Sequence, residues 1–183
     1  MAEPHEDTPG ERIELVTPTH EMQGACRACE AAFAANGEVF LGPKADDWPA
    51  FVRACAEEAA GRPIALGRVP QTVFILTRVG PDGSRVALGV SQLRHALTPK
   101  LEDIGGHIGY SIRPDERGKG YGRLILALTL PHARALGLAR VLLTCDADNI
   151  RSARVIMANG GVLTSEGHSP LRGARVRRYW IAL

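Results

Sequence analysis

Residues 107–130 read His107-Ile-Gly-Tyr-Ser-Ile-Arg-Pro114, then Asp115-Glu-Arg-Gly-Lys-Gly-Tyr-Gly122, then Arg123-Leu-Ile-Leu-Ala-Leu-Thr-Leu130. This stretch decides the fold. Ile108, Tyr110 and Ile112 alternate with Gly109, Ser111 and Arg113, the period of a strand. Pro114 ends that strand, because proline cannot donate to a ladder and restricts Arg113 to extended geometry. Gly118, Gly120 and Gly122 follow at every second position, so backbone N–H groups can turn outward with no side chain over them. An apolar helical run begins directly afterwards. A strand, a glycine loop and a helix N-terminus in succession aim free N–H groups and the positive end of a helix dipole at one point. That is an anion site, and most simply a phosphate site.

Two familiar phosphate loops are excluded. A Walker A motif would need a glycine at 113 and Ser or Thr at 120, where the chain has Arg113 and Gly120. The dinucleotide fingerprint would need a third glycine at 123, which is Arg123. The pattern present is Arg117-x-x-Gly120-x-Gly122.

Outward from the loop, the chain alternates strand-like and helix-like segments. Glu11–Thr17 reads as a first strand closed by Pro18. Thr19 can cap a helix running to about Ala35, with Asn36-Gly37 as its stop. A second helix is expected over Asp46–Ala60, ended by Gly61-Arg62-Pro63 and with Pro49 in its first turn. Thr72–Val79 and Val86–His95 read as an antiparallel hairpin around Pro81-Asp82-Gly83. A loop through Pro99 then leads to Gly105-Gly106 and the central strand. The helix after the glycine loop should reach about Leu136, with a kink or break at Pro131, a mid-helix proline costing ~3 kcal/mol. Ala139–Cys145 is almost wholly apolar, as a strand covered on both faces should be. Asn149–Ala158 reads as a helix stopped by Asn159-Gly160-Gly161, and Val162–Ser165 and Ala174–Ala182 as the last strands. Residues 1–10 read as a disordered N-terminus, and 11–183 as a single domain.

Composition narrows the class. The chain has 183 residues, 45% hydrophobic and 23% charged, with a formal net charge of +2. So small a charge gives no reason to expect nucleic-acid or membrane partners, and 5% aromatic content leaves few stacking platforms for RNA. No apolar run reaches the ~20 residues of a membrane span, and the polar N-terminus lacks a signal-peptide core, so a cytoplasmic protein with reduced thiols is expected. Cys26-Arg-Ala-Cys29 is formally a CxxC, but no second ligand pair follows at zinc spacing and its surroundings read as a helix interior. The four cysteines are therefore expected to be core residues, and no metal site is expected. The cluster Arg172, Arg175, Arg177 and Arg178 reads as a solvated strand edge.

Arg117-x-x-Gly120-x-Gly122, flanked by the Ile-Gly-Tyr-Ser-Ile-Arg-Pro strand and an apolar helix, resembles the pyrophosphate-binding motif of the GNAT acyltransferase superfamily. The element order β-α-α-β-β-β-α-β-α-β-β is that of the GNAT fold. Gly-Gly-His-Ile-Gly-Tyr-Ser-Ile-Arg-Pro, Leu-Leu-Thr-Cys-Asp-x-Asp-Asn and the closing Arg-Arg-Tyr-Trp-Ile resemble a bacterial group of predicted acetyltransferases. The resemblance implies an α/β (α+β) fold with a mixed, mostly antiparallel sheet of about seven strands flanked by helices. It implies acetyl-CoA as co-substrate, lying where the central strand and Ala139–Cys145 splay apart, and a primary amine as acceptor, in a monomer or homodimer.

The same resemblance implies diphosphate contacts from the backbone of Gly118, Lys119, Gly120, Tyr121 and Gly122. Arg113, Arg117 and Lys119 would add positive charge, and the main chain of Ile112 would meet the pantetheine amides. Asn149 and Ser152 would lie beside the pantetheine arm, although Asp148 or Asn149 with Ser152 three residues on is also a helix cap. Many members carry a tyrosine seven residues after this asparagine as the acid for the departing thiolate. Here that position is Ile156. A thiol of pKa near ~8.5 can leave unaided at neutral pH. His107 is a candidate base for the acceptor ammonium, its alternative being a structural histidine bonded to backbone. Tyr110, His95, Asp146 and Asp148 are lesser candidates. The alternative to an N-acetyltransferase is a non-catalytic acyl-CoA-binding sensor or interaction module.

Overall fold

The computed structural model describes residues 10–41, 45–62 and 68–183. The N-terminal disorder expected over residues 1–10 lies, but for Gly10, outside the described residues, as does the Pro63 helix stop. Strands β1 (Arg12–Val16), β2 (Gln71–Val79), β3 (Arg85–Arg94) and β4 (Ile108–Ile112) form a sheet in that order. Strands β5 (Arg140–Asp146), β6 (Val162–Ser169) and β7 (Ala174–Ala182) form a second, in the order β5-β7-β6. Among the described residues there are seven strands, divided four and three, and every ladder is antiparallel.

Helices α1 (Gln23–Ala35) and α2 (Trp48–Ala59) cover one side of the first sheet. Met22, Cys26, Cys29 and Phe33 recur every three or four residues, the spacing of one helical face, and pack with Trp48, Phe51 and Cys55 against Val73, Ile75 and Val90. The next residues of β2, Phe74 and Leu76, point to the other side, toward helix α4 (Tyr121–Ala135). Covering on both faces explains why β2 reads as an unbroken apolar run rather than an alternation. Burial pushes the thiols of Cys26 and Cys29 up to about 12, so both behave as small apolar residues.

Several sequence expectations are corrected. Thr19 precedes a single 3₁₀ turn, His20–Met22, and its side chain makes no capping bond. The loop through Pro99 contains a short helix, α3 (Pro99–Asp103), capped by Thr98, whose hydroxyl accepts from Leu101 N–H. Pro131 does not break α4. Pro131 and Ala127 both lie on the exposed face, so the carbonyl that loses its donor opens onto water. β7 carries Arg175, Arg177 and Arg178 of the arginine cluster yet is the middle strand of its sheet, so these three do not sit on an edge strand. Arg172, Arg175, Arg177 and Arg178 instead pair with Asp146, Glu166, Glu166 and Asp103.

Candidate functional site

β4 and β5 meet at one end and separate at the other. At the meeting point His107 N–H donates to Leu142 O at 2.7 Å, and Leu142 N–H donates back to His107 Nδ1 at 2.9 Å. Gly106 stands against the same stretch of β5: a Cβ on it would lie 2.8 Å from the Leu142 carbonyl carbon and 3.1 Å from Leu143 Cα. Its φ of +61° adds a second reason for glycine. Gly105 N–H completes the junction by donating to Thr144 Oγ1 at 2.8 Å. Past this clasp no ladder joins the strands, and a cavity of about 280 Å³ opens between them. Its walls include Ile108, Gly109 and Tyr110 on one side and Leu143 to Asp146 on the other, with Asn149 and Ser152 from the start of helix α5 (Ile150–Ala158).

The β3–β4 register decides which backbone groups face this gap. Arg94 N–H donates to His107 O and Arg113 N–H to Leu88 O, so residues 109, 111 and 113 pair with β3. The N–H and C=O groups of Ile108, Tyr110 and Ile112 therefore point toward β5. By the same alternation Leu142, Thr144 and Asp146 point back, since Leu183 N–H and Ala147 N–H bond β5 and β7 through Ala139 O and Arg175 O. The gap is lined by main-chain donors and acceptors that no neighbouring strand takes up.

The glycine loop leaves the far end of β4, opposite the His107 clasp. Pro114–Glu116 forms a 3₁₀ turn, and Gly118 and Gly120 take φ values of +84° and +85°. Gly120 is the N-cap of α4 with no side-chain cap, and the first helical donors to its carbonyl are Arg123 and Leu124. The N–H groups of Tyr121 and Gly122 thus lack helical acceptors, and Gly118, Lys119 and Gly120 are exposed. The missing side chain of Gly122 also serves packing: a Cβ there would stand 3.3 Å from Val155 Cγ2 of α5.

The loop's basic residues are already engaged. Arg117 Nε donates to Ile112 O at 2.9 Å, and its two Nη groups fork onto the carboxylate of Glu38. Lys119 pairs with Glu116 at 2.8 Å and Arg113 with Asp115 at 2.8 Å. Glu38 had no sequence signal: it lies 79 residues from Arg117, in a segment with no recognisable pattern.

Asn149 is the N-cap of α5, its Oδ1 accepting from Ser152 N–H at 3.0 Å. Ser152 Oγ lies 3.1 Å from the Tyr110 hydroxyl, and burial raises the Tyr110 pKa to about 12. His107 is 6% exposed, its pKa lowered first by burial and then by the Arg94 charge, and it does not line the gap. Asp146 does line it, but Arg172 holds it by two bonds of 3.0 and 2.7 Å and lowers its pKa. His95 sits outside the gap, 2.9 Å from Thr72 Oγ1. Asp148 is exposed. Ile156 is 1% exposed and packs in the core beneath α5. We expect Ile156→Tyr to overpack that core, costing about 2 kcal/mol and several degrees of melting temperature. A calorimetric melt checks it; an unchanged midpoint would show that the ring reaches open space.

A larger cavity of about 730 Å³ lies beside the gap, between α2, β2, β3 and α3. Phe51, Val73 and Leu101 give it apolar walls, and Arg94 lines both cavities. Among the described residues no cluster of three His, Cys, Asp or Glu is placed to hold a metal, and no helix is long and apolar enough to cross a membrane.

The family model for the acetyltransferase (GNAT) domain matches residues 32–162. This chain belongs to the GNAT acetyltransferase family. Solved structures of the same fold include Mycobacterium smegmatis RimJ in complex with CoA-disulfide, at 18% identity and a TM-score of 0.66, covering 93% of this chain and 81% of that one. Salmonella typhimurium yncA with acetyl-CoA matches at 15% identity and 0.58, over 93% and 94% of the two chains. The ribosomal-protein-S5-alanine acetyltransferase of Vibrio fischeri matches at 16% and 0.63, over 96% and 94%. No curated protein matches the chain by sequence.

Proposed function

We propose that this GNAT domain transfers an acetyl group from acetyl-CoA to a primary amine, by direct attack within a ternary complex. The observation that carries the reading is the alignment of three features along β4. The glycine loop stands at its far end, the gap lined by main-chain groups outside any ladder runs beside it, and the larger cavity opens at the clasp end. Acetyl-CoA supplies the activated thioester. The N–H groups of Gly118, Lys119, Gly120, Tyr121 and Gly122 hold its diphosphate, with Arg113 and Lys119 adding charge from their carboxylate pairs. Arg117, bound to Glu38 and Ile112 O, shapes the loop rather than reaching the ligand.

Main-chain groups of Ile112 and Tyr110 meet the pantetheine amides, and Asn149 keeps its amide N–H groups for the same arm because only its oxygen is committed to the cap. The Tyr110 N–H faces the gap and is placed to stabilise an oxyanion. The Tyr110 hydroxyl stays protonated at about 12, too weak an acid to surrender its proton to a thiolate near ~8.5. It acts instead as a hydrogen-bond donor to the departing sulfur, together with Ser152. His107 is a clasp between strands rather than a base, because Nδ1 is occupied by Leu142 N–H and burial disfavours its cation.

The test combines binding and turnover. Gly120→Asp puts a carboxylate at the anion point and a Cβ at φ +85°, and should weaken acetyl-CoA at least tenfold, about 1.4 kcal/mol. Calorimetric titration reads this; unchanged affinity in a folded variant would remove the loop assignment. Free-thiol release over an amine panel tests transfer. Acetyl-CoA binding with no release for any amine would favour the acyl-CoA-binding module.

A further inference from the structure

Six half-buried arginines among the described residues, Arg27, Arg78, Arg113, Arg117, Arg177 and Arg178, each have a carboxylate within ion-pair distance. Arg94, also half-buried, has none among the described residues. Its Nη1 donates to Gly105 O at 3.1 Å and Gly106 O at 3.0 Å, which fixes the guanidinium over the clasp but leaves its charge uncompensated. Burial alone pushes its pKa down, the direction expected of a cation that lacks an anion. Its guanidinium lies beside Gly109 of β4: a Cβ there would touch both Nη atoms at 3.8 Å, an ordinary contact.

Position gives this charge a use. Arg94 lines the gap and the larger cavity at once, so its guanidinium stands where the two adjoin. The cavity also holds Lys100, which makes no ion pair among the described residues, whereas Glu58 is neutralised by Arg68 at 3.3 Å and bonded by Gln71 at 2.8 Å. The uncompensated charges facing the acceptor are both positive.

We propose that the acceptor is an anionic amine, with an apolar body against Phe51, Val73 and Leu101 and a carboxylate or phosphate near the amine bound by the Arg94 guanidinium. This rests on the acetyltransferase reading above and narrows it. The guanidinium fork matches both planar carboxylate and phosphate oxygens. A polycation such as a polyamine meets like charge there and is rejected. Arg94 is a specificity residue: it orients the acceptor by its anion so that the amine enters the gap.

The experiment is free-thiol release from acetyl-CoA with matched amines. Leucine and phenylalanine are compared with their amides, and O-phosphoethanolamine with ethanolamine, which separates carboxylate from phosphate. Wild type should prefer the anionic member of at least one pair by tenfold or more in kcat/KM, chiefly through KM. Arg94→Gln should collapse that ratio toward one, and Arg94→Lys should retain part of it, with melting curves showing that both variants are folded. A purely structural Arg94 would lower both members of a pair equally and leave the ratio intact, which overturns the proposal. So does turnover of neutral amines only. Succinyl-CoA provides a further arm: if it outperforms acetyl-CoA with neutral amines and Arg94→Gln removes the gain, the anion belongs to the acyl group and the acceptor assignment fails. If Arg94→Gln does not fold, Arg94→Lys is read alone on the same ratios: a reduced preference is expected, and a ratio equal to that of wild type overturns the proposal. Absence of thiol release with every amine removes the acetyltransferase reading itself and this inference with it.

Discussion

Gly106→Val is expected to lower the melting temperature by about 6–12 °C, the largest single-residue effect anticipated in this chain. Two costs add. A branched side chain at φ +61° is strained, and its Cβ would press on the backbone of Leu142 and Leu143 rather than on a yielding side chain. Overpacking against backbone with positive-φ strain amounts to about 3 kcal/mol. Each kcal/mol moves the midpoint of a domain this size by about 2–4 °C. The functional consequence follows from the place of the strain. β5 can move away only by breaking the two His107–Leu142 bonds, which widens the closed end of the gap. Differential scanning calorimetry reads the stability, and a midpoint within about 2 °C of wild type would show that the close approach of Gly106 and Leu142 is not a constraint.

His107 carries the second large effect. His107→Phe keeps the buried ring but removes the acceptor for Leu142 N–H, and should cost about 1–3 kcal/mol at pH 7.5. His107→Gln keeps an acceptor and abolishes titration, so it isolates the charge. The folded pKa of His107 is lowered by burial and by Arg94, so below about 6.5 the unfolded chain binds more protons than the folded one. Stability is therefore full above that pH and lost as pH falls through the window between the unfolded and the lowered folded value. His95 is shifted the same way by burial, so wild type minus variant gives the His107 share. Urea melts at pH 7.5 and 5.5 should show a smaller acid loss for His107→Gln than for wild type. Equal losses would remove the clasp account of its titration. On this account kcat/KM varies with pH in the same way for wild type and His107→Gln; a rise near pH ~6 to 7 found only in wild type would restore the histidine as base.

Local signals were legible where the chemistry is local. The loop of Arg117 to Gly122 could be read from alternating glycines between a strand and a helix, because positive φ and free N–H groups depend on neighbouring residues alone. The hairpin around Pro81-Asp82-Gly83 and the cap at Asn149 were readable for the same reason. Short helices such as Pro99–Asp103 were not, since five residues carry too little periodicity to stand out from a loop. Pro131 was read by its average cost, whereas its actual cost depends on which way the freed carbonyl faces.

Sequence alone thus determined the strand-loop-helix unit, since it follows from backbone conformation and hydrogen-bonding capacity within some twenty residues. Tertiary structure alone decided which groups meet. It divided seven strands between two sheets, because apolar periodicity reports the faces a strand buries and not its neighbours. It turned His107 to Leu142 and Arg117 to Glu38, contacts spanning 35 and 79 residues. It also left Arg94 at the junction of two cavities without a carboxylate partner among the described residues, a fact of burial and charge balance that no local pattern encodes.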